Sequence, residues 1–63
     1  MKVFVGLDVA KEVHWACAID QDARPVFSRG VNNDPDGIAE LMSEIEALDA
    51  DEVTVALDLL GGI

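Results

Sequence analysis

Sixty-three residues with a single cysteine make one domain at most and no internal disulfide. Four Lys and Arg stand against thirteen Asp and Glu, a formal charge of −9, which excludes a basic stripe for gripping phosphates. The apolar start stops at Asp8, far short of a signal-peptide core or a membrane span of about 20 residues, and the lone thiol fits a reducing, cytoplasmic setting.

In chain order, residues 2–8 are rich in Val and Phe and of strand length, and close on Asp8. Residues 13–20 alternate, with Trp15, Cys17 and Ile19 on one face and His14, Ala16 and Ala18 on the other, which predicts a second strand. The stretch "DQDA" (Asp20 to Ala23) is a turn, because Asp side chains satisfy nearby backbone groups. Residues 25–31 form a third strand, where Pro25 is tolerated at the start. These three make an antiparallel meander.

The run "NNDPDG" ends the third strand and opens a helix over about residues 34–49. Asn33 or Asp34 is placed to cap it, Pro35 suits the first helical position, and Asp36 favours the positive end of the helix dipole. Gly37 reads as a weak spot in that first turn. Ile38, Leu41, Met42, Ile45 and Leu48 recur at helical spacing. Residues 52–58 form a fourth strand that closes on Asp58, and Gly61 and Gly62 beyond it suit a turn.

The order is α/β, read βββαβ. A right-handed helical crossover returns the fourth strand parallel to the first and third, so Asp8 and Asp58 close parallel strands at one edge of the sheet. That edge is where ligands gather in such sheets. Beside the first strand, the fourth would bring the two Asp residues about 5 Å apart at the backbone; beside the third, roughly 14 Å would separate them. Composition does not choose between the two. In the close arrangement, ionised carboxylates about 4 Å apart repel by roughly 4 kcal/mol at an effective dielectric near 20, and a proton or a cation between them relieves the repulsion. Mg²⁺ suits such a pair, since one or two carboxylates suffice when water and substrate phosphate complete its shell. An Asp closing a strand is also a common structural residue.

The stretch "VGLDVAKEVHWACAIDQDARPVFSRGVNNDPDGIAELMSEI", followed by "VTVALDLLGG", resembles the N-terminal part of the DEDD-type transposases of the insertion-sequence-110 group. The likeness rests on Asp-x-x-K closing the first strand, a His shortly after, a second strand ending in Asp, an "ND" before the helix, and an acid ahead of Gly in the fourth strand. It implies an RNase H-like, RuvC-type fold with a mixed sheet in the order 3-2-1-4. It also implies a Mg²⁺- or Mn²⁺-dependent DNA recombinase guided by a structured RNA. By that resemblance Asp8 is the first acid of a catalytic quartet. Asp58 stands where the family more often has Glu, one methylene longer, and is carried over as the second metal ligand. The last two acids and a domain with a nucleophilic serine would lie beyond Ile63, so residues 1–63 are expected to be a partial catalytic domain, inactive alone.

Lys11 is a candidate phosphate contact or a solvated turn residue; His14 is a candidate substrate contact or an ordinary strand histidine. Trp15 suits base stacking, a core or an interface, and Cys17 reads as a small buried hydrophobe. A junction resolvase shares the carboxylate logic. A sugar-kinase or actin-like ATPase would follow its first Asp with Gly and Thr or Ser, but Val9, Ala10 and Lys11 follow here. A non-catalytic oligomerising module is the remaining alternative. One helix covers one face of a sheet, so the other is expected to be covered by a second copy, as a homodimer or higher homo-oligomer, or in a full-length protein by later helices.

Overall fold

In the computed structural model, residues 1–59 are described, Leu59 by its backbone alone. The elements follow as β1 (Lys2–Val9), β2 (Val13–Asp20), β3 (Pro25–Asn32), α1 (Pro35–Ala47) and β4 (Glu52–Leu59). The sheet order is β3-β2-β1-β4: β1 pairs antiparallel with β2 and parallel with β4, and β2 pairs antiparallel with β3. The βββαβ architecture expected from the sequence is the one observed, and α1 is its single crossover. Gly61 and Gly62 lie outside the described residues.

The strands form where the side chains alternate. Val3 and Val5 of β1 and Ala16 and Ala18 of β2 point under α1 and are buried, while Phe4, Trp15 and Ile19 point the other way. Between β2 and β3 the register shifts at Ala18/Ile19, as in a bulge. The turn at the end of β2 is built by Asp20, whose Oδ1 accepts from the backbone N–H groups of Asp22 at 2.8 Å and Arg24 at 3.0 Å.

Helix α1 starts at Asp34, whose carboxylate accepts from the Gly37 N–H at 2.6 Å. Asn33 is therefore not the cap. Leu41 is buried against Ala16 and Val31; Ile45 and Leu48 pack on Val3, Val5 and Ala18. Fully burying one such side chain contributes about 1.5–3 kcal/mol, which is where most of this small domain's stability arises. Arg29 Nε donates to Glu44 Oε1 at 2.6 Å and ties β3 to the helix. Ile38 and Met42, expected on the buried stripe, stay exposed on the flank of α1.

Gly37 is a requirement rather than a weak spot. It is buried where the helix leaves β3, and a Cβ there would collide with the Asn32 carbonyl. Helix propensity misjudges this residue because close backbone approach outweighs conformational entropy here.

Helix α1 packs over the β3 side of the sheet and leaves β4 bare. Val53, Val55 and Leu57 share the helix-side face with Val3, Val5 and Leu7, yet they are 38%, 51% and 63% exposed. The opposite face has no helix at all among the described residues, so Phe4, Trp15, Cys17 and Ile19 are exposed there. Cys17 is thus not the buried residue the sequence suggested. No helix among the described residues is long and apolar enough to cross a membrane.

Candidate functional site

The site begins with two strands that end alike. β1 and β4 run parallel in an unbroken register from Lys2↔Glu52 through Val9↔Leu59, and Asp8 is the partner of Asp58. Neighbouring strands lie about 4.8 Å apart, and register partners in a parallel pair point to the same face. Both carboxylates therefore rise from the open face, at the carboxyl ends of their strands, and both are exposed.

Gly6 and Ala56, two residues back on the same strands, are also register partners. Their lack of bulk leaves a shallow hollow of about 290 Å³, lined by Gly6, Asp8, Trp15, Cys17, Ala56 and Asp58 among others. Trp15 is the antiparallel partner of Asp8. Its indole N–H donates to Ser28 Oγ at 2.9 Å, which anchors the ring while leaving it half exposed beside Asp8.

The donor set at the rim is two carboxylates, with Cys17 set back along the strand. Among the described residues no third His, Cys, Asp or Glu joins them. All-oxygen donors of this kind fit Mg²⁺ or Mn²⁺, which retain water and take substrate phosphate as further ligands. They do not fit a closed structural zinc site, which needs four protein ligands.

The two other candidates lie elsewhere. Lys11 sits in the β1–β2 turn, exposed, and its ammonium forms no ion pair among the described residues. His14 is buried on the helix-side face with Ala16 and Ala18, and its Nδ1 accepts from the Ala10 N–H at 3.0 Å. It is not brought to the open face where the carboxylates stand. Asn33, read from the sequence as a possible cap and as part of the "ND" before the helix, reaches the same turn: its N–H donates to the Glu12 carbonyl at 2.8 Å and its Nδ2 to the Lys11 carbonyl at 2.9 Å. No spacing rule in the sequence marks that contact, because it joins residues far apart along the chain.

At the other end of the same two strands, the Met1 ammonium donates to Asp51 Oδ2 at 2.7 Å. That hydrogen bond, and then the ammonium charge, hold the Asp51 carboxyl below the usual carboxylate range.

A family model described as "Transposase", for the DEDD transposases of the IS110 group, matches residues 5–63 and so includes both Asp8 and Asp58. The chain belongs to the IS110-group DEDD transposase family. Two curated relatives agree with that membership. The insertion element IS116 uncharacterized 44.8 kDa protein of Streptomyces clavuligerus is 39% identical over 61 residues, covering 95% of this chain and 14% of its own length. The insertion element IS900 uncharacterized 42 kDa protein of Mycobacterium paratuberculosis is 38% identical over 61 residues, covering 95% of this chain and 15% of its own. The chain thus spans about a seventh of the length of these relatives. No solved structure matches it.

Proposed function

We propose that this chain supplies Asp8 and Asp58 as two carboxylate ligands of a divalent-metal centre that cuts and joins DNA phosphodiesters in transposition. The observation that carries the reading is the register: Asp8 beside Asp58, on one face, at the carboxyl ends of parallel strands. Membership of a transposase family supports the same chemistry. When bound, Mg²⁺ or Mn²⁺ would supply Lewis-acid polarisation of a phosphodiester oxygen.

The chain's own residues do the rest of what can be derived. Asp8 and Asp58 make a doubly negative rim that recruits a cation before DNA, since a rim of that sign repels bare phosphate. Gly6 and Ala56 keep the floor low, so a nucleic-acid backbone can approach the rim. Lys11, in the adjoining turn, is the candidate to meet a phosphate oxygen. With a net charge of −9 the chain does not hold DNA by itself, and two carboxylates do not complete a catalytic metal shell. The reading therefore makes residues 1–63 inactive alone, with DNA, a structured RNA and further acidic ligands met in a whole transposase in the cytoplasm.

Manganese titration of the isotope-labelled chain tests it. Substoichiometric Mn²⁺ is expected to broaden the amides of Asp8, Val9 and Asp58 first, and Asp8→Asn or Asp58→Asn to abolish that selectivity. Broadening spread evenly over the acidic surface would sink the proposal.

A further inference from the structure

The turn that follows Asp8 is tied down from the side of the sheet away from the carboxylates. Its first tie is the imidazole of His14, buried on the helix-side face, whose Nδ1 accepts from the Ala10 N–H at 3.0 Å. Its second and third ties come from Asn33, at the junction of β3 and α1. There the backbone N–H donates to the Glu12 carbonyl at 2.8 Å and the side-chain amide to the Lys11 carbonyl at 2.9 Å. Ala10, Lys11 and Glu12 are thus each held by a group whose own position is set elsewhere. His14 is fixed by the core, and Asn33 by the strand end and the Asp34 cap that follows it.

These ties bear on the carboxylate pair. β1 ends one residue after Asp8, and strand ends are the first places where a sheet opens. Two like charges at the ends of adjacent strands push those ends apart. A hydrogen bond to the Ala10 amide, two residues beyond Asp8, opposes that motion without adding charge, because an imidazole accepting through Nδ1 is neutral and carries its proton on Nε2. A carboxylate acceptor in its place would add a third negative charge near the pair.

We infer that His14 and Asn33 are positioning residues, which hold the Ala10–Glu12 turn so that the end of β1 keeps Asp8 beside Asp58 before any metal arrives. The inference rests on the metal-pair reading above and assigns His14 a role other than touching substrate. Preorganised ligands bind a cation more tightly because less ordering is left for the binding step.

The test uses the 63-residue chain, with three nuclear magnetic resonance readouts. These are the hydrogen exchange of the Ala10 amide, the ¹⁵N shifts of the His14 ring, and the Mn²⁺ dissociation constant read from broadening at Asp8 and Asp58. Exchange of the Val5 and Ala18 amides reports the core. His14→Phe removes the acceptor and keeps a ring; His14→Asn puts an oxygen near the place of Nδ1. With the core intact, His14→Phe is expected to release the Ala10 amide and weaken Mn²⁺ about fivefold, the factor that one hydrogen bond's net contribution corresponds to. His14→Asn is expected to restore both. A purely structural histidine would change core exchange and leave the metal constant alone.

Unchanged Mn²⁺ affinity in His14→Phe with a released Ala10 amide overturns the inference, as does a wild-type ring protonated on Nδ1. If His14→Phe does not fold, Asn33→Ala carries the test, with weaker Mn²⁺ binding expected and unchanged binding overturning it. Wild-type chain with no selective broadening at the pair overturns the metal-pair reading and this one together. That result is distinct from selective binding that the variants leave untouched.

Discussion

Asp8 and Asp58 are register partners, each at the carboxyl end of one of two parallel neighbouring strands. The closeness is imposed by the backbone ladder rather than by the side chains, whose charges oppose it. A fold that keeps two exposed carboxylates side by side gains nothing from the pair in metal-free water.

That cost is measurable. Asp58→Asn is expected to raise the stability of the metal-free chain by about 1 kcal/mol at low salt, the size of the Coulomb repulsion in water between two charges at roughly the spacing of neighbouring strands. The gain should fade at high salt, where screening already hides the repulsion. Urea unfolding at two ionic strengths checks it. A lower midpoint for the variant at low salt would mean that the two carboxylates do not oppose one another.

Gly37→Ala should destabilise the fold even though alanine is the better helix former by about 1 kcal/mol. The added Cβ meets the Asn32 carbonyl, which belongs to a strand end and has little room to retreat. Overpacking of this kind costs about 1–3 kcal/mol, a large share of what so short a chain has. A thermal unfolding midpoint at or above wild type would contradict the close contact.

Acid should loosen the end of the sheet opposite the carboxylate pair. Asp51 is held below its ordinary value of 3.8 by the Met1 ammonium, through a 2.7 Å hydrogen bond and its charge. A depressed folded value means that the contribution is fully present above pH 3.8 and is lost as pH falls through the lower folded value. Asp51→Asn should therefore lower stability slightly at neutral pH, where the contribution is fully present, and flatten the dependence on pH below that point, so that the two proteins converge in acid. The pair is exposed, so the effect should shrink with added salt. Chemical denaturation of both proteins from pH 2 to 6 reads it directly.

The bare face should be covered. Phe4, Trp15 and Ile19 present a continuous apolar surface beside Cys17, and a chain of this size buries too little to be secure alone. At micromolar concentration the chain is expected to sediment as a homodimer, and Ile19→Lys, beside Phe4 and away from the carboxylates, to shift it toward monomer. A cooperatively folded wild-type monomer would remove the expected second copy.

Much of the fold was legible because its signals are local. Alternation in residues 13–20 told which side chains share a face, and Pro35 with Asp34 before it marked where the helix opens. The readings that failed involve partners distant along the chain. Cys17 looks buried by residue type, but its face has no helix over it among the described residues. Gly37 looks weak by propensity until the Asn32 carbonyl is seen against it.

By itself the sequence determined that two strands end in Asp, that a helix crosses between them and that the crossover leaves those ends at one edge, because period and handedness are properties of the local chain. It did not determine which strand β4 would lie beside. That choice depends on where α1 finds apolar surface and on which backbone edge is open to a parallel partner. Only the tertiary structure, with β4 paired to β1 in register, turned two separate aspartates into one candidate site.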